Sequence, residues 1–228
     1  MRWGVPLLLV GLIGLFLALV GPSITLTLPI SDRTFTAEAY GSEGEHLAIT
    51  ARLTVARRAP LVAAQYQVNY SSGGPFVDCI LRVELTVEYE NVENIQLTIA
   101  KYIIHAKNGG GTAEYTVASD VALSGTSPIT ATYEITKALD DIVADTNADA
   151  SSGDYLEFHI TVEVNGVGST SGQSLTASIT NEYVVTYAIR ELPGSWSPLS
   201  LLPLPAPYLA LGAALSLAIG AYLVYRGR

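Results

Sequence analysis

The chain carries no charged residue from Trp3 to Ser31 and none from Leu192 to Tyr225. An uncharged apolar run must be buried in a protein core or in lipid, and here one stands at each end of 228 residues. The stretch between them holds all 21 acidic residues. Of the 12 basic residues three (Arg2, Arg226 and Arg228) lie outside it, so it carries 9 against 21, a net charge of −12. Such an acidic domain is unsuited to nucleic acid, whose phosphates need Lys and Arg. Cations, or plain solubility, suit it better. Cys79 is the single cysteine, so no intrachain disulfide forms and the core must suffice alone.

Residues 1–23 read as a secretory signal, either a cleaved peptide or an uncleaved anchor. Arg2 supplies the positive start, "VPLLLVGLIGLFLALV" the apolar region, and Ser23 the best cleavage point, with Gly21 at the small −3 position. Either way the residues that follow are exported. At the other end Pro207 to Tyr225 reads as a transmembrane helix of about 28 Å at ~1.5 Å per residue. Tyr208, Tyr222 and Tyr225 suit the two interfaces, and the basic tail 226–228 suits the cytoplasmic side. Both ends agree on one topology: domain outside, tail inside, at a cell membrane or a virion envelope. Gly212, Ser216 and Gly220 recur every four residues, as small residues do where membrane helices pack, for instance on a second copy. Residues 192–206, with Pro193, Pro198, Pro203 and Pro205, read as an extended proline-rich stalk.

Residues 24–191 read as one exported all-β domain. Ile24, Leu26, Leu28 and Ile30 alternate with Thr25, Thr27 and Pro29. In "FVDCILRVELTVEYE" (76–90), Cys79, Leu81, Val83, Leu85 and Val87 share one face, and Ile80, Arg82, Glu84, Thr86 and Glu88 share the other. Similar runs recur to Ile189, separated by turn signals at "SSGG" (71–74), "NGGG" (108–111), "NG" (165–166) and "STSG" (169–172). Nine or ten short strands predict an antiparallel β-sandwich or jelly roll. Only "ITKALDDIVAD" has helical spacing, with Ile135, Leu139, Ile142 and Val143 on one side.

Signals for chemistry are sparse. "DTNADASSGDYLE" places Asp145, Asn147 and Asp149 at the alternate spacing of a calcium loop, with Ser151 and Asp154 further on as candidate oxygen ligands. Ala150 stands where such loops use glycine, and Leu156 holds the twelfth position, so only the first half resembles an EF-hand loop. Asn69-Tyr70-Ser71 is a glycosylation sequon beside a turn. Cys79 falls on an apolar strand face, as a buried thiol does. No HExxH, G-x-S-x-G or phosphate loop occurs; "GSTSG" (168–172) has Thr at its centre. His46, His105 and His159 lie on three separate strands, and no nucleophile–base pair is visible. An enzyme is not expected.

"GLFLALVG" (14–21) and "SDRTFTA" (31–37) stand around the signal and the first strand in a way that resembles the TasA/camelysin group. More broadly the layout resembles the donor-strand subunits of archaeal and bacterial surface fibres. The resemblance covers about thirty residues. It implies a membrane-anchored surface β-sandwich whose opening strand completes a neighbour's sheet, the partner being a second copy or another envelope protein. The C-terminal anchor is an addition to that pattern, and the aromatic and acidic residues usual near that group's cleavage region are missing. The function expected is therefore structural or interactive. The alternatives are an anchored module binding calcium or a sugar, and, behind both, an anchored hydrolase. A binding module should keep residues 24–30 in its own sheet, and a hydrolase should bring a histidine and a carboxylate together.

Overall fold

The computed structural model describes residues 4–20, 25–60, 62–63, 78–149, 154–188 and 204–226. These residues fall into two compact units. One contains residues 28–57 and 78–190; the other contains residues 1–27, 58–77 and 191–228.

The first unit is built on eight strands in two four-stranded sheets. β1 (Thr25–Tyr40), β2 (His46–Pro60), β4 (Asp78–Glu90) and β7 (Ile129–Ala138) form one, in the order β1-β2-β4-β7. β5 (Val92–Ala106), β6 (Thr112–Ala122), β8 (Tyr155–Gly168) and β9 (Ser174–Ala188) form the other, in the order β6-β5-β8-β9. Two further strands, β3 (Val62–Ala63) and β10 (Leu204–Pro205), pair in parallel within the second unit. The expected nine or ten strands become eight plus this short pair. The opening segment and "TFTAEAY" are one continuous strand, β1, and most of "LVAAQYQVNY" (61–70) lies outside the described residues.

Alternation drives the fold. On β4, Cys79, Leu81, Val83, Leu85 and Val87 are buried while Arg82, Glu84 and Thr86 are half-exposed. On β8, even-numbered residues from Leu156 to Val164 are fully buried and their odd-numbered neighbours are not. The two inner faces meet in a sandwich core. Tyr102 of β5 is fully buried, and its hydroxyl donates across the core to the Arg82 carbonyl of β4 at 2.9 Å. A buried hydroxyl needs such a partner, and here the bond ties one sheet to the other. One residue, Asn91, in the left-handed region (φ 53°), turns the chain from β4 into β5 and so from one sheet to the next.

Both sides of the sandwich are closed by side chains. Ser31 Oγ of β1 donates to the Val184 carbonyl of β9 at 3.3 Å. On the opposite side Lys137 of β7 lies 5.1 Å from the ring centre of Tyr115 on β6. The outer face of the first sheet carries alternating charge across all four strands. Arg52 forks onto Asp32 (Nε to Oδ1 2.9 Å) and reaches Glu84 at 3.3 Å. Arg82 bonds Glu134 at 2.8 Å. Hydrogen bonding from Arg52 holds the Asp32 carboxyl below its usual range.

Two sequence expectations are corrected here. The "NG" at 165–166 is not a turn: β8 continues to Gly168, with Gly166 paired to Leu175. Asn165 bridges its neighbours, donating to Thr98 Oγ1 of β5 and accepting from Thr176 Oγ1 of β9. Gly166 is there for room, since a Cβ would sit 2.5 Å from Val92 Cγ1. The helix α2 starts at Leu139 and ends at Asp145. It buries Leu139, Ile142 and Val143, whereas Ile135 belongs to β7 and pairs with Leu81.

The second unit contains the end helices α1 (Gly4–Val20) and α3 (Ala206–Arg226), packed on each other. The expected C-terminal helix is therefore present, one residue longer at each end. Among the described residues, no helix is long and apolar enough to cross a membrane. Ser23, the expected cleavage point, and residues 192–203 of the expected stalk lie outside the described residues.

Candidate functional site

The outer face of the second sheet gathers a group of titratable side chains that includes two histidines. Odd-numbered residues of β8 point outward, so Glu157 and His159 share that face. Strand register sets Glu157 opposite His105 of β5, and His159 opposite Tyr183 of β9. Thr112 of β6 stands opposite His105 on the other side. The rings of His105 and His159 consequently meet edge-on at 5.2 Å, and His159 meets Tyr183 at 5.8 Å. His159 Nε2 lies 3.3 Å from Glu157 Oε1, and Lys107 pairs with the other carboxylate oxygen. Arg33 of β1 stands 5.8 Å above the Tyr183 ring.

A bulge completes the arrangement. The β8–β9 register shifts between Ile160 and Val162, and Asn181 takes a left-handed backbone (φ 53°). A bulge takes backbone groups out of the ladder and leaves them to other partners. The Asn181 N–H goes to Thr161 Oγ1 at 3.1 Å, and its carbonyl lies 3.0 Å from His159 Nδ1. Both nitrogens of His159 thus face acceptors, an arrangement that imidazolium satisfies on both sides and neutral imidazole on one. His105 is held below the usual histidine range, first by burial, then by the charges of His159 and Lys107. Its Nδ1 lies 2.8 Å from Thr112 Oγ1.

This cluster does not assemble a hydrolytic triad, because the hydroxyl and the carboxylate belong to different rings. Thr112 is on His105, and Glu157 is on His159. A triad needs one imidazole placed between nucleophile and acid. Glu157 is also engaged by Lys107.

Comparison with protein-family models, with curated proteins and with solved structures finds no match. The site must therefore be read from its own geometry.

The expected calcium residues are placed as follows. Asp145 ends α2, and its Oδ2 accepts from the Tyr115 hydroxyl at 2.7 Å. Asn147 has a left-handed backbone (φ 48°) and is exposed. The Asp149 carbonyl accepts the Asp154 N–H at 3.3 Å. Asp154 is 1% exposed; its Oδ1 accepts the N–H groups of Asn108 (2.8 Å) and Tyr155 (2.7 Å), and its Oδ2 has no hydrogen-bond partner among the described residues. Ser151 lies outside the described residues, as does Asn69 of the sequon. Among the described residues no group of three or more His, Cys, Asp and Glu is arranged to hold a metal. What the loop does is clamp the β5–β6 turn: the Thr146 carbonyl accepts the Gly111 N–H at 2.5 Å. Gly110 has no room for a side chain there, since a Cβ would stand 2.7 Å from that same carbonyl oxygen.

Cys79 is buried, and burial pushes its thiol up to about 12, which makes it a poor nucleophile. His46 stacks on Tyr40 at 4.6 Å, away from its sequence neighbour Glu45. Glu45 is the buried acid of the molecule's turns. It is 1% exposed and accepts the N–H of Glu43 (2.8 Å) and of Ser171 (2.9 Å). One carboxylate therefore fastens the β1–β2 turn to the β8–β9 turn. Its pKa falls to about 2, chiefly through hydrogen bonding from the Ser171 side chain, with burial opposing and the backbone N–H groups adding to the fall. A lowered carboxylate pKa stabilises the fold above its ordinary value of 4.5, and that contribution disappears as the pH falls from there towards 2. Acid titration of thermal stability should show this slope in the wild type, and Glu45→Gln should flatten it while lowering the melting temperature at pH 7.

Of the small residues on α3, Gly220 is buried and Ser216 half-buried. Gly212 is exposed, and among the described residues nothing beyond its own helix backbone and chain neighbours comes within 4 Å of where a Cβ would be. The side of α3 that meets α1 is centred on Ala213, one residue along.

Proposed function

We propose that this chain is a membrane-anchored surface protein whose β-sandwich is displayed outside the cell or virion, and whose work is structural or interactive rather than catalytic. One observation carries the reading. α1 and α3 are apolar helices that keep large apolar side chains exposed after packing on each other: Leu9, Ile13 and Phe16 on α1, and Leu211, Leu215 and Ile219 on α3. Helices that are apolar all round belong in a core or in lipid. At ~1.5 Å per residue their 17 and 21 residues reach about 26 and 32 Å, beside a hydrocarbon core of about 30 Å. Arg2, Arg226 and Arg228 mark the cytoplasmic side.

The expected partner is a second copy or another envelope protein. Support comes from β1, which stands at a sheet edge, where a strand from another chain can add. Residues 25–30 are the first part of that edge strand and lie in the chain's own sheet, so association at the edge requires no exchange of them. Support for a non-catalytic role comes from the histidine cluster, which divides hydroxyl and carboxylate between two rings. Fractionation tests the anchor. The full chain should stay with membranes through an alkaline carbonate wash, and protease added to intact cells should remove the sandwich. Recovery in the soluble fraction would refute the proposal.

A further inference from the structure

We infer that α1 is not removed after export but stays as the second helix of a two-helix anchor. The inference rests on the membrane reading above and deepens it.

The contact between the helices is backbone to backbone. A Cβ built on Gly11 would lie 2.9 Å from the Ala213 carbonyl oxygen, 2.9 Å from the Leu217 nitrogen and 2.6 Å from Leu217 Cγ. One on Gly14 would lie 3.1 Å from Ala213 Cβ. Gly11 and Ala213 are both buried. Only glycine permits the approach at position 11, because the obstructing atoms belong to the backbone of α3 and cannot turn aside. Small residues at such a contact are what lets membrane helices associate, since lipid offers no hydrophobic drive for it.

Direction follows from the same contacts. Gly14 meets Leu209 and Ala213, whereas Gly11, further towards the N-terminus, meets Ala213 and Leu217. The helices are therefore antiparallel, and the Gly4 end of α1 lies beside the Arg226 end of α3. This brings the basic residues of both termini to one side of the membrane, as the positive-inside rule requires of a hairpin.

Two further observations point to retention. α1 has 17 residues, beyond the 7–15 of a signal's apolar region. And α1 reaches only about 26 Å at ~1.5 Å per residue beside a hydrocarbon core of about 30 Å, and a short apolar helix is accommodated by association with another. A cleaved α1 would leave the Ala213 face of α3 without its partner.

Intact-mass measurement of the full chain, tagged at its C-terminus and recovered from membranes, tests this. The expected mass includes residues 1–23. A membrane-bound chain lacking them overturns the inference and leaves the anchor reading standing. A soluble chain overturns both. Paired cysteines give a second readout. Gly14→Cys with Ala213→Cys should form an intramolecular disulfide under mild oxidation, since their Cβ atoms approach closely and the native thiol is buried. Gly14→Cys with Gly212→Cys should not. Adding Gly11→Leu to the first pair should abolish its cross-link. Equal cross-linking of both pairs, or cross-linking indifferent to Gly11→Leu, overturns the inference.

Discussion

Phe158→Ala should cost the chain about 3–5 kcal/mol, the range for removing a large aromatic from a well-packed core. Phe158 is fully buried on β8, a central strand of its sheet, paired with Ile104 on one side and Val185 on the other. It points into the layer shared by the two sheets, so neither can close the gap without breaking its ladder. A domain of this size has about 5–15 kcal/mol in hand, so much of the stability would go in one step. Denaturant titration reads the change as a lower midpoint at nearly constant slope. Arg52→Ala is the informative contrast. It removes the fork onto Asp32 and the contact with Glu84, yet both partners are more than a third exposed, so the loss should stay within about 1 kcal/mol. If the two substitutions cost the same, the assignment of inner and outer faces would be wrong.

Faces were legible in the sequence because a strand's period is two and burial follows it. β4 shows this from Cys79 to Val87, with one exception: Ile80 is 6% exposed although it lies on the face of Arg82 and Glu84. Boundaries were less legible. Thr25–Tyr40 contains Pro29 and the charged pair Asp32–Arg33, which suggest a break, yet an edge strand tolerates a proline and Asp32 has Arg52 across the sheet. Asn165-Gly166 has the composition of a turn, but Gly166 is needed under Val92 and Asn165 between two threonines. In each case a contact from a distant strand outweighed the local preference.

The histidine cluster marks where sequence reading stops. That Glu157 and His159 share a face follows from their spacing alone. That His105 joins them depends on the β5–β8 register, which local sequence does not encode. The Asn181 carbonyl that meets His159 is available only because β9 carries an extra residue at the bulge. Glu45 is similar: nothing in its local sequence says that the chain turns there and that the backbone N–H groups of Glu43 and the distant Ser171 take its carboxylate.

On the proposed anchor, Leu215→Arg should take α3 out of the membrane. Leu215 lies one residue from the middle of the 21-residue helix and is 56% exposed, on surface that α1 leaves open. On the insertion scale a central Leu is favourable by about 0.3–0.6 kcal/mol and a central Arg unfavourable by about 2.5–3.5 kcal/mol, a swing of about 3–4 kcal/mol. The seven Leu, Ile and Val residues of α3 together supply roughly 2–4 kcal/mol on the same scale, so a single Arg cancels them. At 1.4 kcal/mol per factor of ten, the equilibrium constant for spanning should fall by about two to three powers of ten, so that a nearly complete span becomes a partial one. If α1 is retained as inferred, the chain remains attached, and what changes is the side on which its C-terminus lies. A C-terminal tag protected in intact cells carrying the wild type should become open to external protease in the variant, whereas Leu215→Phe should leave it protected. A tag protected equally in all three would mean that the Leu215 face of α3 does not meet lipid, and the apolar surface of the pair would then have to be covered by protein.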